Sequence, residues 1–110
     1  MEDKVLYCIM LDLYGQFLTD RQRELADWYY NADMSLSEIA ENANISRQGV
    51  HDAIKRAVKT LQSMEAKLGL ARRELAIRAS LKKCIELAGE KSYEPLIDEL
   101  NRLNKMVEEQ

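Results

Sequence analysis

Residues 35–58, SLSEIAENANISRQGVHDAIKRAV, contain two helix starts, at Ser35 and Ser46. Ser35 followed by Glu38 has the form of a capping box, in which a hydroxyl accepts from the third helical amide and a carboxylate reaches back to the cap. It opens a short helix carrying Leu36, Ile39, Ala40 and Ala43. Asn44 tolerates the left-handed conformation that ends a helix sharply. Ser46 then caps a longer helix, in which Val50, Ile54, Ala57, Val58 and Leu61 recur at helical spacing as one apolar stripe. Two helices joined by so short a turn make a helix-turn-helix. Ile39 and Ala40 are expected to face inward, with Ile45 plugging the turn and Val50 packing back onto Ile39. Gly49 costs about 1 kcal/mol of helix propensity relative to Ala, which points to a close approach of the preceding helix.

The outward face of the longer helix carries the candidate nucleic-acid-binding residues Ser46, Arg47, Gln48, His51, Lys55, Arg56 and Lys59. Arg pairs with both acceptors of guanine and Gln with adenine in a major groove, and the first residues of such a helix are those that reach base edges. Arg47, Gln48 and His51 are therefore the expected readers, and Lys55, Arg56 and Lys59 the expected phosphate contacts. The bland alternative is a solvated charged face on which Asp52 and Glu41 repel phosphate. His51, the only histidine, reads first as an exposed neutral side chain and only second as a pH switch or a ligand.

Helical patterns continue on both sides. Val5, Leu6, Ile9, Met10, Leu13 and Tyr14 mark a first helix over residues 3–14, with Gly15 as its stop. Thr19 and Gln22 form another capping box, and the helix it opens runs to about Asn31 with Leu25, Trp28 and Tyr29 on its apolar side. Trp28, Tyr29 and Tyr30 suggest base stacking, but at this spacing Trp28 and Tyr29 read first as core. The longer helix of the pair extends to Lys67, with Gly69 as terminator. From Ala71 a second unit begins: Ile77, Leu81, Cys84, Ile85 and Ala88 share a stripe, Gly89 to Glu94 form a loop, and Pro95 suits the first turn of a last helix. Leu96, Leu100, Leu103 and Val107 follow in a narrow, near-heptad seam. The expected organisation is a wingless helix-turn-helix domain over residues 1–70 and a helical extension over 71–110. The fold class is all-α. The seam points to a homo-oligomer, or else to tail helices folded back on their own chain.

Composition bounds the function. The chain has 110 residues, 46% of them hydrophobic and 32% charged, with a net charge of −3. The charge is unevenly placed: residues 47–59 balance to +3 and residues 72–83 to +4. An acidic total weakens nonspecific attraction to DNA, but local fields decide docking. No run approaches the length of a membrane span. MEDKVLYCIM lacks the basic start, apolar run and cleavage site of a signal peptide, so a cytoplasmic protein is expected. Cys8 and Cys84 have no metal-ligand spacing and read as reduced thiols, so no metal or cofactor is expected. No paired carboxylates, glycine-rich phosphate loop or nucleophile–base set points to an enzyme.

The run from Leu11 to Leu70 resembles the YlxM-like helix-turn-helix proteins of Gram-positive bacteria and mollicutes. The resemblance is carried by Tyr14-Gly15, Leu18-Thr19, Gln22-Arg23, Tyr29-Tyr30, Asp33, Ser35 to Ala40, Ser46 to Val50, Asp52, Ile54 to Ala57, and Glu65 to Leu70. The same helix-turn-helix is similar to region 4 of bacterial sigma factors, which binds promoter DNA. Genes of the family sit beside that of the signal recognition particle GTPase, so the resemblance implies a regulatory role in co-translational protein targeting. Two functions follow as expectations. One is a nucleic-acid-binding regulator whose target is DNA or the RNA of the targeting particle. The other is a protein-interaction adaptor that modulates the particle's GTPase without binding DNA.

Overall fold

Side-chain caps set where the first helices begin. The computed structural model describes residues 3–109, and every regular element among them is helical. Asp3 accepts from the amides of Val5 and Leu6 and starts α1, Lys4–Tyr14. Thr19 and Gln22 exchange both bonds of a capping box at the start of α2, Asp20–Tyr30. Ser35 and Glu38 do the same for α3, Leu36–Ala43. The bonds from the Ser35 amide and hydroxyl hold the Glu38 carboxyl below the usual carboxylate range. Ser46 accepts from the Gly49 amide and starts α4, Arg47–Leu68. After Gly69 come α5, Leu70–Gly89, and α6, Tyr93–Glu108.

The chain divides into two compact units, with the boundary between Ala71 and Arg72. In the first, α4 is the central element and packs against α1, α2 and α3. Leu25, Ile39, Val50, Ala57 and Leu61 are fully buried around it. Burying a side chain of this size contributes about 1.5–3 kcal/mol, so this cluster is the main source of the unit's stability.

Two expectations about the apolar faces need correction. On α1 the buried residues are Tyr7, Ile9, Met10, Leu11 and Tyr14, whereas Val5 is 54% exposed. The helix packs on both α2 and α4, so its covered arc is wider than one stripe. On α2, Leu25, Ala26 and Tyr30 are buried, while Trp28 and Tyr29 are only partly covered. Tyr30 is drawn inward by Tyr7 of α1, with which it stacks at a ring separation of 5.3 Å. Gly15 stops α1 as expected, but in right-handed conformation: its φ is −57° and a short 3-10 turn, Gly15–Phe17, follows. Its lack of a side chain instead accommodates Arg23, whose Nε lies 3.3 Å from where a Cβ would stand.

Asn44 and Gly69 do end their helices in left-handed conformation, at φ 56° and 64°. A residue with a Cβ and no local polar partner is strained there by about 1–2 kcal/mol. Asn44→Ala should therefore lower stability by about 1 kcal/mol, read as a lower urea midpoint with unchanged slope, while Asn44→Gly should leave the midpoint equal or higher.

A buried carboxylate closes the first unit. Glu65, 8% exposed, lies on the inner side of α4. Its Oε1 accepts from the Tyr14 hydroxyl at 2.8 Å and from the Ala71 amide at 3.0 Å. The Leu70 amide in turn donates to the Tyr14 oxygen at 3.2 Å. Two of the amides that a helix start leaves without intrahelical partners are thus satisfied at α5. A negative group at that end is also favoured by the helix dipole. Burial above all, and then the bond to Glu65, raises the Tyr14 pKa above its ordinary value of 10.0.

In the second unit the expected stripes are mostly not buried. Cys84 is covered, but Leu81, Leu100 and Val107 are about half exposed and Ile85 is 73% exposed. α5 and α6 are pinned instead by Glu99, a buried carboxylate that meets Lys83 at 3.6 Å and Arg102 at 2.9 Å. The connection is also shorter than the expected loop, because α6 begins at Tyr93. Only Glu90, Lys91 and Ser92 join the helices, with Lys91 at φ 58°.

Candidate nucleic-acid interface

The tertiary packing gives α4 an inside and an outside. Val50, Ile54, Ala57, Leu61 and Glu65 are buried, which fixes the helix's rotation about its axis. Arg47, His51, Lys55 and Lys59 then fall in one row at four-residue intervals, all exposed. With a rise of about 1.5 Å per residue the row runs for about 18 Å, enough to follow a groove of a nucleic acid. Arg56 is exposed on the far side of the row from Arg47. Among the described residues, no hydrogen bond or ion pair holds Arg47, Lys55, Arg56 or Lys59.

The other three candidates have internal work. Ser46 uses its oxygen as the α4 cap, leaving the hydroxyl proton for a further acceptor. Gln48 donates from Nε2 to Asp52 Oδ1 at 3.0 Å, so its amide is oriented along the helix and not outward. His51 Nδ1 is 3.6 Å from the same carboxylate, too long for a hydrogen bond. Asp52 therefore sits within the cationic face and orients Gln48.

The turn between α3 and α4 is Asn44, Ile45 and Ser46. Arg21 of α2 donates to the Ala43 carbonyl at 3.4 Å and ties the end of α3 to α2. The expectation for Gly49 needs correction. A Cβ there would meet Ser46 Oγ at 3.2 Å and Ile45 Cδ1 at 3.7 Å, and no atom of α3. The glycine gives room to the cap and to the turn residue, not to the preceding helix.

Beside the row lies a groove of about 740 Å³ that sequence reasoning did not find. It is lined by residues of α1, α2, α3 and α4 and of the segment before α3, among them Tyr29, Met34, Leu36 and Val58, with His51 and Lys55 at its edge. No sequence spacing brings these residues together; the one signal in the sequence was the aromatic run Trp28, Tyr29 and Tyr30, which suggested base stacking. Among the described residues, no cluster of His, Cys, Asp or Glu could hold a metal ion. No helix among them is long and apolar enough to cross a membrane.

Comparison with known proteins gives a consistent picture. Residues 1–100 match the family described as "Putative helix-turn-helix protein, YlxM / p13 like". A UPF0122 protein of Thermoanaerobacter sp. (strain X514) is 44% identical over 110 residues, covering 93% of this chain and 94% of its own. A UPF0122 protein of Caldanaerobacter subterraneus subsp. tengcongensis is 47% identical over 87 residues, covering 78% and 74%. One from Acetivibrio thermocellus is 58% identical over 67 residues, covering 61% and 57%. No solved structure matches the chain.

Proposed function

The chain belongs to the YlxM/p13-like helix-turn-helix family, and from that premise we propose that it binds nucleic acid through α4. The observation that carries this reading is the exposed row of Arg47, Lys55 and Lys59, without partners among the described residues, on a helix whose rotation is fixed by its buried side. Ser46 and Arg47 stand at the N-terminus of that helix, where amides and the helix dipole favour phosphate. Lys55, Arg56 and Lys59 hold the backbone, and Arg47 reaches base edges. His51 joins them, and so does Gln48 once Asp52 releases it. The test is a titration of the full chain with labelled duplex DNA and with a structured RNA, each at two salt concentrations. Tight binding at low salt that weakens steeply with added salt is expected. Absence of binding to both overturns the reading.

Asp52 supplies a further check. Its carboxylate faces the polyanion and holds Gln48 inward. Asp52→Asn should tighten binding by about fivefold at low salt, since one like charge is removed near the phosphates; the same titration measures it.

The same proposal places the protein in the cytoplasm, in the signal recognition particle pathway, as the resemblance to YlxM-like proteins implies. Its target there is the particle's RNA or a DNA site. Self-association is part of it: Leu81, Ile85, Ile97 and Leu100 are exposed apolar side chains on α5 and α6, and a second copy covering them would present two α4 helices. Light scattering of the full chain should give a dimer mass. The same apolar surface favours a second reading, an adaptor that meets the particle's GTPase. A complex with that GTPase which survives the loss of Arg47 and Lys55 would favour the adaptor.

A further inference from the structure

We propose that the groove beside α4 holds one unpaired nucleobase of the bound nucleic acid. This rests on the docking of α4 proposed above and names what that docking recognises. His51 and Lys55 belong both to the exposed outward row and to the lining of the groove. A phosphate neutralised by Lys55 therefore carries its own nucleoside over the groove mouth. The groove's size, about 740 Å³, falls in the range of sites for small organic ligands, roughly 300–1,000 Å³.

The lining suits a planar aromatic group. Met34, Leu36 and Val58 supply apolar walls. Tyr29 is held nearly perpendicular to Tyr30, at 84° with ring centroids 5.0 Å apart, and is not stacked on another ring among the described residues. It is fixed in place yet only partly covered. Aromatic rings in that condition are platforms for splayed-out bases.

The charges agree. Lys4 and Asp33, also on the lining, form an ion pair with each other. The remaining ionic group on the rim is Lys55, with His51 beside it. The site thus favours an apolar planar ligand attached to an anion, which is the chemistry of a nucleotide. A fully paired duplex offers no such group, because its bases are stacked inside. The favoured target is a helical nucleic acid interrupted by an unpaired residue.

The experiment uses the full chain and two RNA hairpins that differ by one bulged nucleotide, with 2-aminopurine at the bulge. The bulged hairpin should bind about tenfold more tightly than the paired one. Its 2-aminopurine emission should change on binding. Tyr29→Ala and, separately, the uncharged Val58→Gln should abolish the tenfold preference and the emission change while leaving affinity for the paired hairpin as it was. Because the emission is also read on the unaltered protein, the test does not depend on either variant's folding. Equal binding of both hairpins without an emission change overturns the inference and leaves the docking of α4 intact. An emission change that persists in both folded variants also overturns it. Failure to bind either hairpin, or duplex DNA, at low salt overturns the docking and the inference together.

Discussion

Replacing Glu65 with alanine is expected to lower the melting temperature by about 12–24 °C. The Tyr14 hydroxyl and the Ala71 amide both donate to the same oxygen, and Tyr14 is 1% exposed. Truncation leaves two donors without their acceptor where water enters poorly. Each orphaned group costs about 1–3 kcal/mol, so the loss is about 3 kcal/mol, and each kcal/mol moves the midpoint of a domain this size by about 4–8 °C. Glu65→Gln keeps one acceptor oxygen and should lose about 1 kcal/mol. A Glu65→Ala midpoint within about 2 °C of the parent would show that the network contributes little.

The same network predicts an alkaline limit. Tyr14 has a folded-state pKa above its ordinary 10.0, through burial first and the Glu65 bond second. A raised value means that the folded chain holds this proton more tightly than the unfolded chain. Its contribution is whole below about pH 10, where both states are protonated, and is lost as pH rises through the folded-state value. Tyr14→Phe should be less stable at neutral pH, yet show a shallower decline above about pH 10 in chemical denaturation at several pH values.

The second large effect concerns binding. Arg47→Ala with Lys55→Ala should weaken nucleic-acid affinity by about 30- to 100-fold near 0.1 M salt. It should also reduce the slope of log affinity against log salt by about 0.9, the share of the one phosphate contact removed, Lys55. Folding should be preserved, since neither side chain has a partner among the described residues and alanine is the best helix former. Circular dichroism would verify this. An unchanged salt slope in a folded double variant would remove α4 from the interface.

The helix starts at Thr19, Ser35 and Ser46 and the left-handed stops at Asn44 and Gly69 were legible in the sequence because each is a local event. A hydroxyl and an amide three residues apart need no distant partner to meet. The helix-turn-helix and the outward row on α4 followed from those stops and one apolar stripe. The buried Glu65 was half legible: it lies on the stripe that continues from Leu61, but nothing in the sequence named Tyr14 or the start of α5 as its partners. Local chemistry fixes where helices begin and end. Which side chains share a surface, as Tyr29, Met34, Leu36, Val58 and Lys55 do around the groove, depends on how four separate segments pack, because buried area is shared between helices and belongs to none of them alone.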